Sequence, residues 1–489
     1  MMSEPQVTPP QEALNTDGNV LCWLLHIIVV LLREVQTLQA KLAAFEKDST
    51  TSHKPPSSDG FKKKRGAITR GVSGRKPGGQ KGHRGITRCN VPLHEVTETI
   101  THKPHTCEQC GTLLTEQHPS VPVERRQVWE IPEIKPLVQE HVFYQTTCDC
   151  GHPTRLPVPE WIYSGTGDTL QAHITYLTAE ANLSRRTLQR VLDEVFHIPL
   201  ALGTIQNRLE DSSEMLKPIC DELENELTTQ PAVNVDETGY PHNKKLAWLW
   251  AFVTSTFAFF TLQASRGSQV LHKVLGKCYD GIIICDRFSA YVRYHKDRAC
   301  GLIQLCWAHI IREVKALGHQ LAFESAQIFS VVMRKRIGAV FRLWYAHKQG
   351  HLSRVQLIAA AEPLIAEMCA FVEHNQHHPS HDIAKFNRQL LKRWTSLFTF
   401  IYHEGVEPTN NLAERVIRPG VQTRKISYCT RSQNGQWLRA RLLTVSQTCR
   451  IQQRSALEFY RAAIHTRRSN LPVPSLLLHH KDQNLGLAA

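Results

Sequence analysis

Two aspartates each come directly after a short apolar segment. Asp236 follows residues 231–235 (PAVNV), and Asp286 follows residues 281–285 (GIIIC). One such aspartate can simply form a turn, but two carboxylates that meet at one sheet edge need a cation between them. Magnesium takes oxygen ligands from carboxylates and substrate phosphates, and two such ions can hold the attacking and leaving oxygens of a phosphodiester. The pair therefore predicts metal-dependent phosphoryl transfer.

The residues between the two aspartates predict the elements that would bring them together. Residues 246–253 and 258–262 form a predicted hairpin, and residues 268–275 have helical apolar spacing. The predicted order is strand, strand, strand, helix, strand. If the first and fourth strands are neighbours, both aspartates lie at one edge of the sheet. This order predicts a ribonuclease-H-like α/β core.

A third candidate acid, Glu414, lies in a helical segment near the C-terminus. Thr409 or Asn410 can cap this helix. Four polar residues then fall near one face at steps of three and four: Asn411, Glu414, Arg415 and Arg418. A carboxylate flanked by arginines can bind metal while its neighbours hold phosphates, although a salt-bridged surface helix has the same residue types. Glu404 and Glu407 are alternative candidates for the third acid.

Length and charge indicate several domains and a polyanionic partner. The chain has 489 residues, too many for one compact core, and 58 Lys+Arg against 44 Asp+Glu give a formal charge of +14. Such a balance favours nucleic acid as the partner.

Much of the excess charge lies in residues 61–88, which contain no acid. This segment cannot bury a core, but it can follow DNA phosphates, with Arg75 and Lys76 in a minor groove. A solvated tail is the alternative. The residues expected to contact DNA here are Lys62, Lys63, Lys64, Arg65, Arg75, Lys76, Lys81 and Arg84. We assign residues 48–92 to a basic, disordered linker.

The N-terminal region predicts a coiled coil over residues 19–47. Its apolar residues alternate in steps of three and four: Leu21, Leu24, Ile28, Leu31, Val35, Leu38, Leu42 and Phe45. Ile28 and Val35 at a positions, with leucines at d positions, favour a parallel dimer. A helix packed on its own chain is the alternative. The apolar run 20–32 is too short to span a membrane.

Two close cysteine pairs predict a structural zinc site in a small β module over residues 93–160. Cys107 and Cys110 have the standard spacing, Cys148 and Cys150 are one residue closer, and the interval between the pairs is predicted to be strand-rich. His152 could replace one thiolate, and incidental cysteines are the alternative. Fourteen cysteines without a signal peptide favour a reducing cytosol over a secreted disulfide framework.

Two helical regions complete the predicted architecture. Residues 165–228 predict a helix-turn-helix, for which a hairpin of helices without DNA contact is the alternative. Residues from about 321 to 400 have helical apolar spacing and predict a helical insertion in a catalytic domain over 229–465, followed by a tail over 466–489. The predicted fold class is multidomain α+β.

Four sequence blocks resemble the DDE transposases of the insertion sequence 66 family. They are residues 54–60 (KPPSSDG), 74–80 (GRKPGGQ), 306–309 (CWAH) and 410–419 (NNLAERVIRP), the last followed by Arg424 and Lys425. The resemblance covers roughly residues 20–465.

The resemblance implies a role for each candidate residue. Asp236, Asp286 and Glu414 would be the catalytic acids and hold two Mg²⁺ or Mn²⁺ ions. Cys306 and His309 would support the site with three residues near the third acid: Asn411, Arg415 and Arg418. The four paired cysteines would bind zinc, and Arg424 and Lys425 would contact DNA.

The implied function is a bacterial transposase that binds the ends of an insertion sequence, hydrolyses them and joins the 3′ ends to target DNA. Its partners would be double-stranded DNA and accessory transposition proteins, and the zipper would join it to a second copy or into a higher oligomer. It would act in the cytoplasm at the nucleoid, without a membrane. A non-catalytic DNA-binding protein or inactive relic is the alternative, and a plain nuclease is a third option.

Overall fold

A computed structural model of the chain describes residues 24–32, 34–35, 85, 88–298, 300–319, 324–428 and 430–478. The described residues belong to two compact units, one over 61–137 and one that includes 138–489. The predicted DNA contacts from Lys62 to Arg84 and the zipper positions 21, 38, 42 and 45 lie outside the described residues.

The smaller unit has little regular structure from residue 88 onward. It contains a 3-10 helix at Leu93–Glu95 and a single bridge between Thr106 and Leu113. The interval between the cysteine pairs is not strand-rich as predicted, because it contains only the three-residue strand Gln145–Thr147 and no strand over residues 111–144. Val123 and Val128 are 93% and 90% exposed, so these apolar side chains find no layer to pack on, and four prolines interrupt the segment.

The larger unit is built around a five-stranded mixed sheet. Its strands in chain order are β3 (Ala232–Gly239), β4 (Trp248–Val253), β5 (Ala258–Gln263), β6 (Ile282–Cys285) and β7 (Leu302–Leu305). The spatial order is β5-β4-β3-β6-β7, antiparallel among the first three and parallel from β3 to β7. The predicted hairpin and the pairing of the two strands that precede the aspartates are confirmed. A separate hairpin pairs β1 (Gln145–Thr147) with β2 (Pro153–Arg155).

The two faces of the sheet are both apolar and belong to separate core clusters. Side chains alternate along β4, so Trp250 and Phe252 lie in one core cluster while Leu249 and Ala251 lie in another. The second cluster also contains Ala413 from the segment that carries the third candidate acid.

The helices follow the predicted order. In chain order they are α1 (residues 24–32 and 34–35), α2 (Glu160–Tyr163), α3 (Asp168–Ala179), α4 (Arg185–Glu194), α5 (Leu202–Glu226), α6 (Gln269–Leu275), α7 (Ser289–Asp297), α8 (Trp307–Leu317), α9 (Glu324–Lys348), α10 (Arg354–His374), α11 (His381–Leu391), α12 (Thr399–Tyr402), α13 (Asn411–Val416), α14 (Arg418–Ser427), α15 (Gln433–Ile451) and α16 (Ala456–Arg468). Short 3-10 helices lie at Leu227–Thr229, Asn375–His377 and Thr395–Leu397.

The helix-turn-helix region is helical as predicted and shares its core with the sheet. The Ser184 hydroxyl accepts the Thr187 N–H at 3.1 Å and so caps α4. Buried residues of α3, α4 and α5 belong to the same apolar cluster as one face of the sheet, and α16 packs against α3 and α5. These helices are therefore part of one large core.

Helix α15 covers the outer edge of the sheet. The hydroxyls of Thr444 and Thr448 accept the N–H groups of Phe260 and Ala258 on the edge strand β5, at 3.0 and 3.1 Å. This pairing satisfies backbone donors that would otherwise offer a site for another strand.

The predicted helical insertion contains α9, α10 and α11. Among the described residues, the segment Arg354–His377 is long and apolar enough to cross a membrane by length and composition. A core helix of a soluble protein has the same character, and α10 packs against α9, α11 and α12.

Candidate functional site

The strand register brings the two aspartates together. Strand β3 pairs with β6 in parallel, with Val233 opposite Ile283 and Asn234 opposite Ile284. Two residues further, the same register sets Asp236 opposite Asp286. The Phe288 N–H donates to Asp286 Oδ1 at 2.8 Å and thereby forms the turn that ends β6.

Glu414 lies over the same face of the sheet as Asp236. Asp236 pairs with Ala251 across the β3–β4 ladder, and Ala251 belongs to the cluster that contains Ala413 and Val416 of α13. Helix α13 packs on both β3 and β4. The Glu414 side chain is 27% exposed, so it reaches solvent while Ala413 and Val416 of α13 are buried.

The protonation behaviour of the acids reflects their proximity. Burial raises the pKa of Asp236 well above its usual value, and the charges of Glu237, Asp286 and Glu414 raise it further. Burial also raises the pKa of Glu414, which Arg312 and Arg418 lower and Asp286 raises. Three carboxylates that repel one another at a half-buried sheet edge are a suitable donor set for hard divalent cations.

Cys306 and His309 lie beside Glu414 at the start of α8. The metal-binding atoms of these three residues lie within 4.8 Å of one another, and His309 Nδ1 is 3.8 Å from Glu414 Oε1. Burial raises the pKa of the Cys306 thiol to about 11, and Arg312 Nη2 is 3.6 Å from the same carboxylate oxygen. This cluster adjoins the third candidate acid, and its thiol, imidazole and carboxylate are groups that can bind a metal ion.

Comparisons with known proteins identify the family of the chain. The model of the transposase IS66 family matches residues 164–437, more than half of the chain. The chain belongs to the IS66 transposase family. Members of this family are transposases.

Two further matches are less informative about this IS66 family member. Residues 3–89 match a family of unknown function, DUF6444. The uncharacterized protein y4qI of Sinorhizobium fredii (strain NBRC 101917 / NGR234) is 27% identical over 227 residues, which cover 42% of this chain. The alignment spans 41% of that relative's length.

The two alternative third acids lie in exposed ion pairs. Glu404 is 83% exposed in its side chain and lies 3.0 Å from Arg354 at the start of α10. Glu407 lies 2.5 Å from Lys348 at the end of α9. Both carboxylates are paired with cations of the helical region, whereas Glu414 faces the supporting cluster.

The other predicted residues of the C-terminal block divide into exposed and structural ones. Asn411, Arg415 and Arg418 are exposed, and the charge of Arg418 lowers the pKa of Glu414. Arg424 is half-buried and donates to the Thr238 hydroxyl and the Gly239 carbonyl at the end of β3, so its described contacts are structural. Lys425 is exposed.

A fourth carboxylate, Glu237, lies next to Asp236 and was not predicted. It is opposite Trp250 in the ladder, so it points to the other face of the sheet. The Tyr291 hydroxyl donates to Glu237 Oε2, and Arg266 Nε lies 2.8 Å from Oε1. Burial raises the pKa of Glu237 to about 7. The alternation of side chains along a strand could have predicted that Glu237 lies on the opposite face of the sheet from Asp236.

A cavity of about 640 Å³ opens beside Arg266. The Arg266 guanidinium lies 4.6 Å from the Trp248 ring centroid and 3.9 Å from that of Phe288. Phe288 and Arg293 also line the cavity. An aromatic face and arginine charges are groups that bind nucleic acid.

Each cysteine pair forms a tight turn. The Cys107 N–H donates to the Thr112 carbonyl, and Gly111, at φ +74°, donates to the Cys107 carbonyl and so closes the turn. Gly151, at φ +84°, makes the matching bond to the Cys148 carbonyl. Hydrogen bonds from Thr112 lower the pKa of Cys110 to about 7, which suits a metal-binding thiolate. The pairs belong to different units, so the shared zinc site stays a prediction.

Proposed function

We propose that the chain is a DDE-type transposase whose ribonuclease-H-like core uses Asp236, Asp286 and Glu414 as its catalytic acids. The observation that carries this proposal is the convergence of the three carboxylates, two through the β3–β6 register and one through the packing of α13 on the same face. The order β5-β4-β3-β6-β7, with three antiparallel and two parallel strands, supports the ribonuclease-H-like assignment.

The three carboxylates would hold two Mg²⁺ or Mn²⁺ ions. When bound, such ions activate a water and then a 3′ hydroxyl as nucleophiles and stabilise the leaving oxygen. The residues of this chain orient the DNA and the acids. Arg418 is exposed beside Glu414, where its charge can meet a phosphate. Arg312 Nη2 and His309 Nδ1 lie 3.6 and 3.8 Å from Glu414 Oε1, where they would limit the movement of this carboxylate.

The remaining parts of the proposal concern DNA binding and assembly. The basic segment 61–88 would bind the element ends and target DNA along their phosphates. The zinc module would support it, and helix α1 would join two copies or a higher oligomer in the bacterial cytoplasm. Described residues of α1 expose their apolar side chains, including Ile28 at 50% and Leu31 at 53%, as an unpaired coiled-coil helix would.

The test is cleavage and strand transfer on DNA that carries the ends of the element. Purified wild type with Mg²⁺ or Mn²⁺ should nick the ends and join them to target DNA, and Asp236→Asn and Asp286→Asn should each bind the ends but make neither product. Binding without cleavage by wild type, with candidate accessory proteins present, would favour a non-catalytic DNA-binding protein. Nicking without joined products would favour a nuclease.

A further inference from the structure

One buried asparagine, Asn410, connects the strand of the first acid to the helix of the third. Its side chain is 1% exposed. Its Nδ2 donates to the Val235 carbonyl at 2.8 Å, and its Oδ1 accepts from Asn234 Nδ2 at 3.0 Å. Its own carbonyl accepts the Glu414 N–H at 3.1 Å. One residue therefore holds the backbone before Asp236 and the backbone of Glu414 itself.

Cys306 extends this connection to the second acid. The Asn410 N–H donates to Cys306 Sγ at 3.1 Å, and the Cys306 N–H donates to the carbonyl of Cys285 at 2.8 Å. Cys285 immediately precedes Asp286. A single buried chain of hydrogen bonds thus reaches the peptide groups at or next to all three acids.

The conformation of Asn410 differs from that of an ordinary helix cap. It occupies the N-cap position of α13, where an asparagine side chain usually accepts an N–H from the first helical turn. The Asn410 side chain makes no such capping bond. Both polar atoms of the Asn410 side chain bind β3 instead. Helix α13 therefore lacks the usual cap, but these bonds fix its position relative to β3.

We propose that Asn410, acting with Cys306, is the positioning residue that sets the spacing of Asp236, Asp286 and Glu414. The inference rests on the proposed function, since this spacing matters for cations that the acids share. Mg²⁺ demands near-ideal octahedral geometry, so a small shift of α13 against β3 weakens its binding. Residues that orient metal ligands without binding the metal typically contribute about 10- to 100-fold in affinity or activity.

The experiment compares full-length Asn410→Ala with a matched control, Asn387→Ala. Asn387 is 0% exposed, and its Nδ2 donates to the Ile383 carbonyl of α11 at 2.8 Å. Both changes remove a buried amide of the same size, but Asn387 lies outside the elements that carry the acids. Mn²⁺ affinity without DNA is measured from the free Mn²⁺ signal in electron paramagnetic resonance, together with thermal stability, end binding and Mg²⁺-dependent cleavage.

We expect Asn410→Ala to bind Mn²⁺ about 10- to 100-fold more weakly, with a matching loss of cleavage and nearly unchanged end binding. Asn387→Ala should keep the wild-type Mn²⁺ affinity even if it lowers the thermal stability as much as Asn410→Ala does. Equal Mn²⁺ affinity for wild type and Asn410→Ala would overturn the inference, as would an equal loss in both variants.

Two further comparisons keep the result interpretable. If Asn410→Ala does not fold, Cys306→Ala, which removes the acceptor of the Asn410 N–H, should lose Mn²⁺ affinity, and Cys306→Ser, which keeps an acceptor, should restore most of it. No difference between these two variants would also overturn the inference. Asp236→Asn tests the proposed function itself, because this change should remove a direct metal ligand. If Asp236→Asn binds Mn²⁺ as tightly as the wild type, the shared-cation site is refuted.

Discussion

Replacing Glu414 by glutamine separates the third proposed acid from its neighbours. The change keeps the side chain's size and removes one charge. In the metal-free protein, Asp286 raises the pKa of Glu414 while Arg312 and Arg418 lower it, so repulsion and attraction both disappear with the charge. We therefore expect the free energy of unfolding without metal to change by about 1 kcal/mol or less.

The effect should appear when divalent metal is added. At ten times the dissociation constant, Mg²⁺ should stabilise the wild type by about 1.4 kcal/mol, since the gain is RT ln 11, or roughly 2–5 °C in the unfolding midpoint. Loss of a direct ligand should lower the Mg²⁺ affinity by at least about 100-fold. At the same Mg²⁺ concentration, the stabilisation of Glu414→Gln by the metal then falls below about 0.1 kcal/mol. The cleavage rate should fall by about 10³-fold or more, which is roughly 4 kcal/mol of transition-state stabilisation.

The controls for this prediction are Glu404→Gln and Glu407→Gln. Both remove a carboxylate whose ion pair, with Arg354 or Lys348, is at the surface of the helical region and contributes about 1 kcal/mol or less. They should keep the Mg²⁺-induced shift and the cleavage of element ends. Wild-type cleavage by Glu414→Gln, or loss of cleavage in either control, would refute the assignment of the third acid.

Three further predictions concern the other modules. Purified protein should carry about one zinc per chain, and Cys110→Ser should remove it in elemental analysis; a folded, zinc-free wild type would contradict the zinc module. Deleting residues 61–88 should weaken DNA binding and make it less dependent on salt. The slope of log affinity against log salt concentration should fall by up to about nine if all basic residues of the segment contact phosphates. An unchanged slope would mean that the segment is a spacer. Leu31→Asp should convert the oligomer to a monomer in light scattering, because it places a charge in the predicted zipper seam, and an unchanged mass would place the interface elsewhere.

Much of the fold was predictable because its signals are local. The apolar segments that end in Asp236 and Asp286 predicted two strands, and the hairpin and helix between them are present with nearly the predicted bounds. The helices predicted over residues 165–228 are present, and Ser184 caps α4. The strand-rich interval between the cysteine pairs was wrong, because its valines and leucines find no partner layer and strand propensity depends on such packing.

The sequence alone determined which residue types were available for chemistry, the order of the elements and the family resemblance. Which side chains meet depends on how the helices pack on the sheet. Asn410 was expected at most to cap its own helix, yet it bonds to Asn234, 176 residues earlier in the chain. Arg424 donates to Thr238 at the end of β3, and its contact with DNA stays a prediction. Capping and charge patterns arise within one turn of helix, whereas these contacts follow from how α13 and α14 pack on the sheet. Local spacing therefore could not reveal them.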